Sequence, residues 1–134
     1  MESITKSANE TQILGKKFSA SLTGGETIAL IGELGAGKTT FAQGLAQGLG
    51  IEGRIVSPTF ILMRTYGNLY HIDLYRLEKD IDEEVKNLGL TDIWGKKENI
   101  VVVEWAEKIT EMLPENTIWI NFEILDNGRK ITIK

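Results

Sequence analysis

The residues Gly32-Glu33-Leu34-Gly35-Ala36-Gly37-Lys38-Thr39 carry the spacing G-x-x-x-x-G-K-[ST], and each type has a chemical reason for its place. Glycines let consecutive backbone amides turn into one concavity, which makes a nest for an anion. A helix beginning at Lys38 adds its unpaired first amides and the positive end of its dipole. The Lys38 side chain is then expected to reach the β- and γ-phosphates of a nucleotide, and the Thr39 hydroxyl to ligate Mg²⁺. The expected cofactor-binding run is therefore Leu34, Gly35, Ala36, Gly37, Lys38, Thr39 and Thr40. A plain glycine-rich turn could match the same letters. Here, however, the match follows an apolar strand pattern and precedes a good helix pattern, the context the motif requires.

A phosphate-binding loop of this kind needs an acidic partner for its metal, commonly an Asp closing an apolar strand. Val101-Val102-Val103 runs into Glu104, one methylene longer and able to hold Mg²⁺ directly or through water. The plainer reading, a carboxylate capping a strand end at the surface, is the less favoured one. In Tyr70-His71-Ile72-Asp73-Leu74-Tyr75-Arg76 a period of two puts His71, Asp73 and Tyr75 on a polar face and Tyr70, Ile72 and Leu74 on an apolar one. Spacing alone leaves Asp73 open between a functional carboxylate and a cross-strand pair on an exposed sheet face. His71 reads as a structural hydrogen-bonding residue before a proton shuttle. Thr59, in Ser57-Pro58-Thr59-Phe60, stands where a switch loop could sense Mg²⁺ or the γ-phosphate, but unaided it reads as part of a proline turn capped by hydroxyls. Trp105, beside Glu104, reads as core before nucleotide contact.

These groups need a fold to place them. Ser7 and Glu10 have capping-box spacing, and Leu14, Phe18 and Leu22 recur behind them, so a helix of about four turns is expected before Gly24-Gly25. Residues 27–31 form a short, almost wholly apolar run, as in a strand buried on both faces. Phe41, Leu45 and Leu49 carry a second helix from the glycine-rich loop to Gly50. Residues 54–57 read as a strand, and 61–66 with 69–76 as a hairpin around Gly67-Asn68. Residues 80–87 read as a helix, and 100–103 as a second doubly buried strand. After a short helical piece, 117–125 alternates with Ile118, Ile120, Phe122 and Ile124 on one face, and Asn127-Gly128 turns it into 130–134. The pattern predicts an α/β fold: a P-loop NTPase-like, mostly parallel sheet flanked by helices, with antiparallel hairpin additions. Such sheets bind ligands at the carboxyl ends of their strands, where both the glycine-rich loop and Glu104 fall.

Composition removes other chemistries. The 134 residues suit one domain over 1–134. Zero Cys excludes a disulfide scaffold, a thiolate zinc site and a cysteine nucleophile, and a lone His excludes a multi-His metal centre. A net charge of −4 argues against RNA or DNA as the main partner. The first residues lack a signal peptide's apolar stretch, and no apolar run approaches the roughly 20 residues of a membrane span. A soluble cytoplasmic protein with no membrane partner is expected.

Together the segments resemble the TsaE (YjeE) family, small bacterial P-loop ATPases required for threonylcarbamoyladenosine formation in tRNA. The resemblance is carried by Glu10-Thr11 with Leu14-Gly15, GELGAGKTTF from Gly32, SPTF from Ser57, YHIDLYRL from Tyr70 and VEW from Val103. It implies that Asp73 and Glu104 join Lys38 in an active centre. Thr39 and Glu104 would surround Mg²⁺, with Asp73 acting on the metal or the attacking water. It makes Thr59 switch-like and Trp105 a neighbour of the nucleotide, and it offers Thr11 and Arg129 for contacts around the adenine end. It further implies ATP as the nucleotide, slow hydrolysis completed by partner contact, and work beside the TsaB and TsaD proteins. Those partners transfer the threonylcarbamoyl group to an adenosine beside the anticodon, so tRNA would be met through the complex. Two other readings keep the same loop. A small-molecule kinase would need an acceptor pocket and usually an Arg-rich lid, and this chain shows no such lid. A nucleotide-gated binding module would need no hydrolysis.

Overall fold

The computed structural model describes residues 1–52 and 63–134; the expected strand at 54–57, the first two residues of the expected strand at 61–66, and Thr59 lie outside the described residues. Ser7 opens the first helix, α1 (Ala8–Ser19), as its spacing predicts. Its Oγ accepts the Glu10 amide at 3.1 Å while Glu10 Oε1 accepts the Lys6 amide at 3.0 Å. The helix closes at Ala20, so it is three turns rather than four, and Leu22 reaches the core from the loop beyond. α1 lies against α2 (Lys38–Gly48), which leaves the glycine-rich loop. Glycine makes that approach possible: a Cβ added at Gly15 would stand 2.2 Å from the Phe41 carbonyl oxygen, and one at Gly44 would stand 1.8 Å from that of Gln12.

The strands are β1 (Glu2–Thr5), β2 (Thr27–Gly32), β3 (Met63–Tyr66), β4 (Leu69–Asp73), β5 (Ile100–Glu104), β6 (Ile118–Leu125) and β7 (Gly128–Ile133). They form one sheet in the order β1-β7-β6-β2-β5-β4-β3. The centre, β6-β2-β5-β4, is parallel, and the flanks add antiparallel pairs, including the expected hairpins β3-β4 and β6-β7. Side-chain alternation builds two cores. Ile28, Leu30, Ile100, Val102, Ile120 and Phe122 meet α1 and α2 on one side. Ala29, Ile72, Val101 and Val103 meet α3 (Ile81–Asn87) and the 3₁₀ helix Ala106–Met112 on the other.

Along the sheet the structure departs from the sequence reading at three more places. β1 has no forecast in its four residues; it is a strand because β7 offers it a partner, with Ser3 opposite Ile131. β4 stops at Asp73, and its polar side is no exposed face, since His71 and Asp73 are both buried. Ile124, at the far end of β6, outruns the core and is exposed. Among the described residues no helix is long and apolar enough to cross a membrane.

Candidate functional site

The loop from β2 to α2 turns through Gly35 (φ +82°) and Gly37 (φ +103°), left-handed backbone that suits glycine. Gly37 is the N-cap of α2, so the helix presents its first amides to the loop. Lys38 is only 4% exposed. Its Nζ donates to the Gly32 carbonyl and lies 3.6 Å from the centroid of the Trp105 ring. Burial pulls the Lys38 pKa below the ordinary lysine value, against the opposing pull of Glu104, Glu107 and Asp73.

Parallel pairing brings the two predicted carboxylates together. β5 lies between β2 and β4, so Glu104 stands opposite Leu30 on one side and opposite Asp73 on the other. The Glu104 carboxylate is buried and holds two side chains: Thr39 Oγ1 lies 3.1 Å from each of its oxygens, and His71 Nε2 lies 2.5 Å from Oε2. His71 therefore does act as a hydrogen-bonding residue, and its Nδ1 has no partner among the described residues. Asp73 Oδ1 accepts the Tyr75 amide at 2.9 Å. Immediately after Glu104, Trp105 takes a left-handed backbone (φ +63°), which turns the chain out of β5 and swings the indole over Lys38 and against Tyr75, 5.1 Å between ring centroids. A large residue in that region costs about 1–2 kcal/mol, which the surrounding packing must offset.

These residues line a cleft of about 410 Å³ bounded by Leu34, Lys38, Thr39, Asp73, Glu104 and Trp105. A second cleft of about 280 Å³ lies on the other side of the loop, lined by Lys6, Thr11, Gly128 and Arg129. Gly35, Gly37 and Thr40 border both. Thr11 is thus near the loop, but its hydroxyl is engaged by Thr5 Oγ1 at 2.7 Å and the Ser7 carbonyl at 3.3 Å. Arg129 reaches the loop directly, with Nη2 donating to the Gly35 carbonyl at 3.2 Å. Ala36 turns its side chain into the core, and its amide bonds the Glu33 carbonyl. The sequence places Tyr75 on the polar face with His71 and Asp73 but does not mark it as a site residue; the structure puts it in the cleft lining.

Among the described residues no three His, Cys, Asp or Glu side chains form a metal cage. Two carboxylates and a hydroxyl beside the glycine-rich loop nevertheless suit Mg²⁺, a hard ion that takes one or two protein carboxylates and completes its shell with water and phosphate oxygens. The carboxylate and the hydroxyl that would serve it, Glu104 and Thr39, already touch.

Fold and site together define a P-loop NTPase-like α/β protein, the glycine-rich loop sitting on a central parallel strand next to the strand that ends in Glu104. Known proteins carry the assignment further. The family model described as "Threonylcarbamoyl adenosine biosynthesis protein TsaE" matches residues 5–131. A TsaE protein of Treponema pallidum is 38% identical over 99% of both chains, and one of Bacillus subtilis is 39% identical over 96% of this chain and 81% of its own. The crystal structure of YdiB from B. subtilis superposes with a TM-score of 0.81 at 34% identity, covering 99% of this chain and 83% of that one. The chain belongs to the TsaE family, which takes part in the biosynthesis of threonylcarbamoyladenosine in tRNA.

Proposed function

We propose that this protein is a Mg²⁺-dependent ATPase of the cytoplasm whose nucleotide cycle supports a TsaB/TsaD complex as it threonylcarbamoylates the tRNA adenosine beside the anticodon. One observation carries the reading: Lys38, Thr39, Asp73 and Glu104 converge on one cleft beside the glycine-rich loop, although 65 residues separate Thr39 from Glu104. The amides at the start of α2 and the helix dipole receive the polyphosphate. Lys38 leaves the Gly32 carbonyl to meet the β- and γ-phosphates. Thr39 and Glu104 would hold Mg²⁺, with Asp73 beside them; the bound ion would neutralise charge that builds on the phosphate oxygens. Asp73, whose Oδ1 accepts the Tyr75 amide, serves the attacking water as orienting base. Trp105 closes the cleft over Lys38, and Arg129 steadies the loop from the opposite side.

The test is phosphate release from ATP with the chain alone, then with the TsaB and TsaD proteins, each with and without Mg²⁺. Mg²⁺-dependent release, faster with both partners, is expected, with ATP outcompeting GTP. Release only in the presence of a small-molecule acceptor that becomes phosphorylated would overturn hydrolysis in favour of a kinase. Tight nucleotide binding with no release under any condition would leave a binding module.

A further inference from the structure

Past Asp73 the chain makes a turn in which the Leu77 amide bonds the Leu74 carbonyl at 3.0 Å. That turn directs three carbonyls at one point, and the Lys108 Nζ occupies it: 3.0 Å from Leu74 O, 2.9 Å from Tyr75 O and 2.8 Å from Leu77 O. A lysine ammonium has three protons to donate, and here each has a main-chain acceptor in the same turn. Lys108 belongs to the 3₁₀ helix that follows Glu104 and Trp105, with its amide on the Trp105 carbonyl at 3.2 Å and its Nζ 5.9 Å from the Trp105 ring. One side chain thus ties the strand end bearing Glu104 to the strand end bearing Asp73. The hydrolysis scheme gives it no task.

We propose that Lys108 is a positioning residue, its ammonium gathering the carbonyls of residues 74, 75 and 77 so that the Tyr75 amide fixes Asp73 and the Tyr75 ring stays against Trp105. The proposal rests on the hydrolysis reading and assigns Lys108 to the water side of the site. Three carbonyl dipoles aimed at one point repel each other, so removing the cation lets the turn open. Asp73 then loses the Tyr75 amide, one of the contacts that orient it. The phosphate nest is built from other elements, the Gly35–Gly37 backbone, Lys38 and the start of α2, so nucleotide affinity does not depend on Lys108.

Lys108→Met keeps the apolar stem and removes the donors. Calorimetry should give a MgADP affinity within about two-fold of the unsubstituted chain, and ATP cleavage with TsaB and TsaD should show KM within about two-fold, the split that marks loss of a transition-state interaction. kcat should fall about 10- to 100-fold, the usual effect of removing a group that orients a site ligand. Amide exchange should quicken at residues 74–77 and stay unchanged in α2. Lys108→Arg, able to span two of the carbonyls, should recover part of kcat. If Lys108→Met does not fold, Lys108→Arg carries the same comparison. A variant with unchanged kcat, or one whose affinity falls in step with kcat, overturns the proposal. If the unsubstituted chain neither binds nor cleaves MgATP, the hydrolysis reading fails instead. Exchange at residues 74–77 still judges Lys108 in that case, and no change there refutes its hold on the turn.

Discussion

Replacing Lys38 by Met should weaken nucleotide binding without weakening the fold, and the two effects can be weighed from the contacts of one side chain. A charge-assisted hydrogen bond contributes about 1.5–3 kcal/mol, so contacts to two phosphates are worth about 3–6 kcal/mol. To make them Lys38 must give up the Gly32 carbonyl, a loss of about 1.5–3 kcal/mol. It also leaves the Trp105 ring, at about 0.5–2 kcal/mol. Subtracting like ends of these ranges leaves about 1 kcal/mol, which predicts a Kd for MgATP raised about 5-fold. Stability runs the other way. The lowered pKa of Lys38 means that burial penalises its cation more than Glu104, Glu107 and Asp73 favour it. An apolar side chain of similar length escapes that penalty, and such replacements of buried ions are often neutral or stabilising. The melting temperature without nucleotide should therefore hold or rise, by up to about 3–5 °C per kcal/mol for a chain of this size. Calorimetry with MgATP and thermal melts by circular dichroism measure both quantities. A melting temperature several degrees lower together with an unchanged Kd would refute the reasoning, because Lys38 would then be a structural ion and not a ligand group.

Glu104→Gln preserves the volume and an acceptor for Thr39 but removes the charge, so Mg²⁺-dependent phosphate release should fall about 100-fold or more while Mg²⁺-free nucleotide binding stays within a few-fold; undiminished release would return Glu104 to a structural role. With its pKa lowered from 10.5, Lys38 should lose its proton at a lower pH than a free lysine, and ATP affinity should fall through that step and show none in Lys38→Met. Folding stability has the opposite slope. The unfolded chain binds more protons between the lowered pKa and 10.5, so the contribution of Lys38 to stability rises with pH across that interval, as urea titrations at several pH values would show. Gly44→Ala would place a methyl 1.8 Å from the Gln12 carbonyl oxygen, between two helical backbones, and should lower the urea midpoint by the equivalent of about 3 kcal/mol; a change under about 0.5 kcal/mol would mean that α1 can simply move away.

What could be read from sequence follows from what chemistry demands of side chains. The glycine-rich loop is legible because its backbone turns through left-handed angles at Gly35 and Gly37 and its charge must come from Lys38. The central strands are legible because Ala29 and Val103 face one core while Leu30 and Val102 face the other, so neither strand has a polar side. The alternation over 69–76 misleads for a related reason. His71 and Asp73 alternate with Ile72 as an exposed sheet would, yet both sides are interior, one an apolar core and the other a polar site. β1 leaves no trace because its order comes from β7, more than 120 residues away along the chain. Lys108 leaves none because its partners are carbonyls, which every residue has. Thr11 is marked only by the family resemblance, because the contacts that engage its hydroxyl come from Thr5 and Ser7.

The contacts within the site also bear on how it could respond to a ligand. Lys38 is on the Gly32 carbonyl, Thr39 and His71 are on Glu104, and Arg129 is on the Gly35 carbonyl. A phosphate or a metal ion that recruits any of them replaces a protein contact, so its affinity is a difference between two sets of bonds. The sets are linked, since Thr39 and Glu104 are at once each other's partner and the groups proposed for the metal. A cation that draws the Glu104 oxygens also draws the Thr39 hydroxyl at the start of α2, the helix end proposed to receive phosphate. Metal and polyphosphate therefore rearrange the same bonds, and each must raise the affinity for the other by the same factor. The Trp105 ring extends that linkage, because it packs on Lys38 at one face of the site and on Tyr75, whose amide bonds Asp73, at the other. A contact that moves Trp105 thus acts on Lys38 and on the Tyr75–Asp73 pair together.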